Sequence, residues 1–481
     1  MNNRAAIFGF LYRNRSNSYN INQISRLLGI SVGSAFKMLK RLEKEKYVNA
    51  NKKNNALLSR LNPSEKTENE YHQIEKEKNR KSEKKAKIIC TIGPSSGKTA
   101  VIRKLIESGM DAALIDVSGY SEKDVIEFMG NVREASDEIP VIFDLSKISI
   151  IKPWIKLALK NSVDFILVSS IKNADDIRRI NRLLGYSDMK HVIGEKIKVL
   201  ASLGKENLGN YRGIIEEAYG VVVDRHLLVN DKRYETLPMM QKMIIEECNR
   251  HGKPAILSGQ VLESMVSKNS PQATEVYSIA NRIIDGASCI MLFNETAAGK
   301  HPNEAVATLS RIIKGVESGL AENYAGGIRE DFVHSIGKAV FEVEKNANID
   351  AILVLTSGGY SARMISSRRL RCRVIAATSS RKILRQLSIL WGINPLFING
   401  NLEDISNEEK RETVIKALEK GLIKKSDQIA IVASVFHSKS KTTNLLEMHK
   451  VNEFLDYLGN KSKIEHDKTN GVGAKNTYED F

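Results

Sequence analysis

Lys87-Ile88-Ile89-Cys90-Thr91-Ile92 followed by Gly93-Pro94-Ser95-Ser96-Gly97-Lys98-Thr99 is an apolar strand running into a glycine-rich turn, and an amphipathic helix continues through Met110. Strand, tight turn and helix make the repeating unit of a parallel α/β sheet, so the fold is decided by how often the unit recurs. The turn invites a phosphate-binding reading. A phosphate loop, however, places four residues between its first glycine and the Gly-Lys pair, because backbone amides must wrap the anion at that length. Here only Pro94, Ser95 and Ser96 intervene. The loop is one residue short, and no apolar strand ending in a carboxylate is convincingly placed downstream to hold a metal.

Downstream, apolar strands alternate with helical segments at 112–117, 139–144, 164–168, 197–200, 220–224, 254–258 and 288–293. With the first strand that makes eight units in about 235 residues, which fits a closed (β/α)8 TIM barrel with its functional loops at the carboxyl ends of the strands.

Longer similarities run along the same segments. Lys87 to Ser96, Gln241-Lys242-Met243 with Cys248 to Pro254, Gln260 to Met265, and Glu295-Thr296-Ala297-Ala298-Gly299-Lys300 through Val306 stand in order along the barrel. Thr356 to Arg363, Arg385-Gln386-Leu387 with Trp391-Gly392, and Thr442-Thr443-Asn444-Leu445 continue the series. Taken together, residues 86 to 455 resemble pyruvate kinase. The resemblance implies a barrel over 86–325 and a C-terminal α/β domain over 331–455. It implies phosphoryl transfer between phosphoenolpyruvate and ADP, with Mg²⁺ and K⁺ as cofactors. It also implies that Thr356, Ser357, Gly358, Gly359, Tyr360 and Ser361 take part in binding a phosphorylated effector, since amides at the start of a helix favour anions.

The catalytic positions depart from the pattern. The family carries a Ser-Lys-Ile-Glu stretch and, on the following strand, an Arg-Gly-Asp stretch; the lysine neutralises the moving phosphoryl group and the two carboxylates hold the metal. Aligned on Ile197 to Ala201, Ser202 stands for the lysine and Gly204 for the glutamate. Arg225 is retained, but His226 and Leu227 replace glycine and aspartate, and a leucine cannot ligate Mg²⁺. Gly259 stands for a threonine, and Leu114 and Asp116 for an arginine and an asparagine. Ser118 and Asp144 match cation-binding positions. Lys205 and Glu206 lie just beyond the lost lysine, where a loop shift could bring them into the mouth. The family's lid is missing, because only about eight residues separate Asp144 from the helix near Pro153, too few for the domain that closes over a nucleotide. On this correspondence no catalytic residue and no metal are expected. Arg363, Arg368 and Arg369 read as a solvated basic helix face.

Upstream of the barrel the character changes. Residues 63–85 are rich in Glu, Lys and Asn and poor in apolar side chains, the composition of an exposed linker. Before it, residues 1–62 hold twelve Lys or Arg against two Glu, +10 of the chain's +16. Asn20 with Gln23 forms a capping-box start for a helix whose stripe is Ile21, Ile24, Leu27 and Leu28, and Gly29 stops it. Ser31 caps a second helix with Val32, Ala35, Phe36, Leu39 and Leu42 on one face. Gly33, Ser34, Lys37, Arg41 and Lys44 fall on the other. Lys52, Lys53, Asn54 and Asn55 read as the turn of a hairpin leading to a strand at Ala56-Leu57-Leu58. The span resembles a winged helix-turn-helix of bacterial and archaeal regulators. Small residues at a helix start allow close approach to a groove, and lysines and arginines reach phosphates. Ser31, Gly33, Ser34, Lys37, Arg41, Lys52 and Lys53 are the DNA-binding candidates, and a protein-docking module is the competing reading.

Cys90, Cys248, Cys289 and Cys372 each sit in an apolar run, as buried thiols of a reducing compartment do. No run approaches the ~18 apolar residues of a membrane span. The expectation is a cytoplasmic α/β protein: winged helix, barrel, C-terminal α/β domain, and a disordered tail over 459–481. Its partners are double-stranded DNA and a phosphorylated small molecule, its assembly a homo-dimer or homo-tetramer. Its function is transcription regulation by a catalytically inactive, metabolite-sensing body; the alternative is a divergent pyruvate kinase with an added DNA-binding domain, and a docking scaffold is a third reading.

Overall fold

The computed structural model describes residues 3–15, 17–53, 56–64, 67, 84–147, 150–185, 195–228, 234–320, 332–402, 405–433 and 443–457. The tail over 459–481, Asn54 and Asn55, Thr442 and most of the charged segment over 63–85 lie outside these residues. The chain divides into two compact units, Met1–Glu83 and Lys84–Phe481.

The first unit runs α1 (Asn3–Arg13), β1 (Tyr19–Asn20), α2 (Ile21–Leu28), α3 (Val32–Lys44), β2 (Val48–Lys53) and β3 (Ala56–Leu61). Its strands form an antiparallel sheet in the order β1-β3-β2. The Asn20 carboxamide accepts from the Gln23 amide at 2.9 Å while the Gln23 side chain accepts from the Asn20 amide at 2.9 Å, which fixes the start of α2. Gly29 ends α2 at φ 63°, a left-handed conformation that a glycine takes without steric cost. Ile7, Phe8, Leu11, Ile24, Ala35, Leu39, Leu42, Tyr47, Val48 and Leu61 make one core. Three positions differ from expectation: Val32 and Phe36 do not enter that core but are 50% and 44% exposed, and Leu27 is exposed as well.

In the second unit β4 (Lys87–Thr91), β5 (Ala112–Asp116), β6 (Val141–Asp144), β7 (Phe165–Val168), β8 (Lys198–Leu203), β9 (Gly220–Asp224), β10 (Ala255–Ser258) and β11 (Cys289–Leu292) form a closed barrel. Every pairing is parallel, and β11 closes on β4 through Ile290 and Ile88. The lumen is filled by Ile89, Leu114, Ile142, Phe165, Leu200, Val222, Ile256 and Met291, so it is a packed core and not a channel. Seven residues, 145–151, lie between β6 and the helix Lys152–Lys160. Then β12 (Ala351–Leu355), β13 (Arg373–Thr378), β14 (Ile393–Phe397), β15 (Gln428–Ala433) and β16 (Leu445–Lys450) form a sheet ordered β14-β13-β12-β15-β16, parallel except for β16.

This C-terminal sheet domain plugs the amino-terminal end of the barrel. Ile389 joins the lumen core and its carbonyl accepts from Cys289 Sγ at 3.1 Å. Asp164 has a fully buried side chain that accepts from Arg133 Nη2 (2.7 Å), Arg385 Nε (2.8 Å) and the Val141 amide (2.9 Å). Gln386 donates to the carbonyls of Asp164 and Lys196. The Arg385-Gln386 stretch therefore serves docking. The basic helix face read as solvated is also docked: Arg369 bonds Gly286 O and Asn249 Oδ1, and Arg363 lies over the rings of Tyr219 and Tyr360. The helix Tyr360–Ser366 ends before Arg369, which meets barrel carbonyls, while Arg363 within it lies against aromatic faces.

Candidate functional site

Barrel strands end in side chains that converge on the mouth. Register sets Asp116 beside Asp144 and Asp224 beside Ser258. Asp116 Oδ1 accepts from the Ser118 amide (3.0 Å) and hydroxyl (2.6 Å), and its Oδ2 accepts from Lys147 Nζ at 2.8 Å. Burial alone would raise the Asp116 carboxyl, but the bonds from Lys147 and Ser118 outweigh it and hold it below the ordinary range. Asp144 is 6% exposed and accepts from the Ser146 amide at 2.9 Å. Burial pushes its carboxyl up, against the pull of the Ser146 bonds. The Lys147 ammonium is held above its ordinary pKa first by its bond to Asp116, then by the fields of Asp116, Asp144 and Asp224. Sequence reasoning found Ser118 and Asp144 but missed Lys147, an exposed lysine in a short loop whose partners only the barrel register brings together.

The positions expected to be degenerate are neighbours. Ser202 is buried, with its carbonyl accepting from Asn207 Nδ2 at 3.0 Å. A Cβ added to Gly204 would stand 3.0 Å from Leu227 Cβ, and the Lys205 amide donates to the Leu227 carbonyl at 2.9 Å. The two sites therefore crowd one another, and neither offers a carboxylate. Lys205 and Glu206 are exposed on the turn after β8. Arg225 points sideways: Nε donates to Gln241 Oε1 (3.2 Å) and Nη1 to Ser278 Oγ (2.9 Å), both on barrel helices. The donor set does not fit a divalent cation of the kind the resemblance implies, because Asp116 is already bonded to an ammonium and positions 204 and 227 supply no oxygen. Among the described residues no group of three His, Cys, Asp or Glu side chains is placed to hold a metal ion.

Gly259 and Gln260 both have positive φ, 74° and 50°, and both carbonyls accept from Nη2 of Arg282, at 2.6 and 3.3 Å. Arg282 is 0% exposed, and its Nε and Nη1, like Ser258 Oγ, have no partner among the described residues. Burial, reinforced by Arg225, lowers its pKa to about 9. The visible signal in the sequence was an arginine between Ile279 and Ile283 on the apolar face of a helix, a position where an unpaired charge is out of place.

Two glycine-rich turns are engaged internally. After β4 the Ser95 amide donates to Ala297 O, the Ser96 and Gly97 amides donate to Gly93 O, and Phe128 packs where a Gly97 Cβ would be, so no amide nest faces outward. After β12 Thr356 Oγ1 accepts from the Gly359 amide at 2.9 Å, and Ser361 Oγ is bonded to Thr443 Oγ1. Ser357, Gly358 and Tyr360 are half-buried at that turn, and Gly359 is buried with φ 82°.

In the amino-terminal unit, Ser31 Oγ accepts from the Ser34 amide at 3.3 Å and caps α3. Ser31, Gly33, Lys37 and Arg41 are exposed along α3 and Ser34 is half-buried. Arg41 is paired with Glu45 at 2.9 Å, while Lys40 Nζ lies 5.3 Å from the Phe36 ring centroid. Lys52 and Lys53 are in β2; their side chains lie outside the described residues.

The sequence pattern described as pyruvate kinase, barrel domain, matches residues 144–306, and that described as pyruvate kinase, alpha/beta domain, matches residues 334–449. The chain is 33% identical over 306 residues to the pyruvate kinase of Staphylococcus epidermidis strain RP62A, covering 62% of this chain and 51% of that protein. It is 32% identical over 307 residues to the pyruvate kinase of Sporosarcina psychrophila, covering 63% and 51%. It is 33% identical over 306 residues to that of Staphylococcus aureus strain USA300, covering 62% and 51%. The chain spans about half the length of the curated relatives it matches. No helix among the described residues is long and apolar enough to cross a membrane.

Proposed function

We propose that this chain, which carries the barrel and alpha/beta domains of pyruvate kinase, is a DNA-binding transcription regulator whose barrel has given up phosphoryl transfer. The observation that carries the reading is the exposed face of α3. A capped helix presents Gly33, Lys37, Lys40, Arg41 and Lys44 outward from a span, residues 1–62, of charge +10, and three helices with an antiparallel sheet β1-β3-β2 support a winged helix-turn-helix. Salt-dependent binding of duplex DNA by the full chain tests it. Lys37→Glu with Arg41→Glu should weaken binding on every sequence and lower the slope of log K against log salt by about two, one for each cation that no longer neutralises a phosphate. Unaltered binding by that variant would point to a docking module instead.

Similarity to pyruvate kinases by itself favours a second reading, a divergent pyruvate kinase, and the retained Ser118, Asp144 and Arg225 speak for it. Against it stand Ser202, Gly204, Leu227 and Gly259 at the working positions, Arg225 tied to Gln241 and Ser278, and the missing lid. A coupled pyruvate-formation assay with Mg²⁺, Mn²⁺ and K⁺ separates the two: the regulator reading expects no turnover above background, and metal-dependent turnover would establish the kinase. Sensing of a phosphorylated metabolite at 356–361 belongs to the same proposal. There the half-buried Ser357 and Tyr360 are the side chains the turn still offers, and a thermal-shift series with sugar phosphates tests it.

A further inference from the structure

We infer that the exposed start of α3 reads thymine methyl groups in the major groove, which makes thymine-rich duplex the preferred partner of the amino-terminal unit; this rests on the DNA-binding reading above. Val32 and Phe36 are 50% and 44% exposed and stand four residues apart, so they share one side of the helix. Ala35, Leu39 and Leu42 fill the core from the same helix, and the exposed pair stands outside that core among the described residues. Gly33 is exposed beside them, and a Cβ built there meets nothing within 4 Å, so the backbone is open to close approach.

Charge selects the occupant. Lys37 and Lys40 border the apolar pair, Lys40 Nζ lying 5.3 Å from the Phe36 centroid, and residues 1–62 carry twelve cationic side chains against two anionic ones. That field suits a polyanion and opposes stacking two copies of the unit face to face. What α3 lacks is equally informative. Val32 to Leu39, its first two turns, contain no Asn or Gln to pair with adenine and no Arg, and Lys37 is the one side chain there of a type that pairs with guanine. The one apolar feature a base pair presents in the major groove is the thymine 5-methyl group. Val32 and Phe36 match it, while the lysines reach the phosphates.

The test titrates the full-length protein into alternating poly(dA-dT) and poly(dA-dU) of matched length, by fluorescence anisotropy at stepped salt. The two polymers differ in the thymine methyl group. Burying one methyl is worth about fourfold in affinity, so burying two gives about fifteenfold preference for poly(dA-dT) at the same salt slope. Phe36→Ala truncates a residue that is 44% exposed and outside the core, so it should fold and lose most of the preference for poly(dA-dT) over poly(dA-dU); Val32→Ala should lose the smaller part. Equal, salt-dependent affinity of the parent for both polymers overturns methyl readout and leaves DNA binding standing. No salt-dependent binding to either polymer overturns the DNA-binding reading and this one with it. A preference that survives Phe36→Ala, or a Phe36→Ala variant that changes only subunit mass in light scattering, assigns the apolar pair to a protein contact and sinks the proposal.

Discussion

Asp144 faces a different problem from Asp116, its neighbour in the barrel register. Asp116 is bonded to an ammonium and a hydroxyl, whereas Asp144 is buried against Ser146, and burial dominates. Near pH 3 both folded and unfolded chains are protonated at Asp144 and it contributes nothing. Above its ordinary pKa of about 3.9 the unfolded chain ionises first, so stability is lost as pH rises through the raised folded value, and the deficit persists at neutral pH. Asp144→Asn keeps the acceptor for Ser146 and removes the deficit. The variant should gain melting temperature relative to the parent on going from pH 4 to pH 7, and a difference that does not change with pH would refute this account. Asp144 and Ser118 were visible in the sequence because a family pattern names their positions. Lys147 was not, and Arg282 showed only as an arginine among isoleucines, because each acquires its meaning from a distant partner, Asp116 in one case and the carbonyls of Gly259 and Gln260 in the other.

Elements announced themselves where local chemistry was complete. Eight apolar runs gave eight barrel strands, and the Asn20–Gln23 pair marked the start of α2. The same logic supplies a test: Asn20→Ala should cost about 1 kcal/mol of α2 stability, read as faster hydrogen exchange of its amides in the full chain, while Asn20→Asp should be close to neutral. If exchange in α2 were unchanged by Asn20→Ala, the cap would be geometric only. Helical period failed on α3 for a reason that can be stated. At about 100° per residue, Leu39 and Leu42 fall within about 40° of Ala35, but Phe36 stands about 100° away, at the edge of any stripe. Which edge is covered depends on α1 and the sheet. The helix α1 is itself hard to read from its residues, because Ala5, Ala6, Ile7 and Phe8 form one short apolar run rather than a stripe.

At the scale of the whole molecule, the barrel and the C-terminal sheet domain are joined through buried charge. Asp164 holds Arg133 from its own barrel and Arg385 from the other domain, so Asp164→Ala leaves two guanidinium groups, that of Arg385 mostly buried, without their carboxylate. Removing one partner of such a network costs about 3–5 kcal/mol, and urea denaturation should show it as a lower midpoint; a midpoint within error of the parent's would contradict the role. Arg385 and Gln386 were legible as family positions and illegible as joints, since their partner Asp164 lies more than two hundred residues away in the chain. The closeness of Gly204 to Leu227 has a consequence for substitution at either position. A Cβ at position 204 would stand 3.0 Å from Leu227 Cβ, so Gly204→Glu requires the leucine to give way by a few tenths of an ångström, and Leu227→Asp puts a smaller, charged side chain against the same backbone. The two positions therefore behave as one: what position 204 can carry is set by what stands at 227, and an exchange at either is best read with its neighbour exchanged in the same chain.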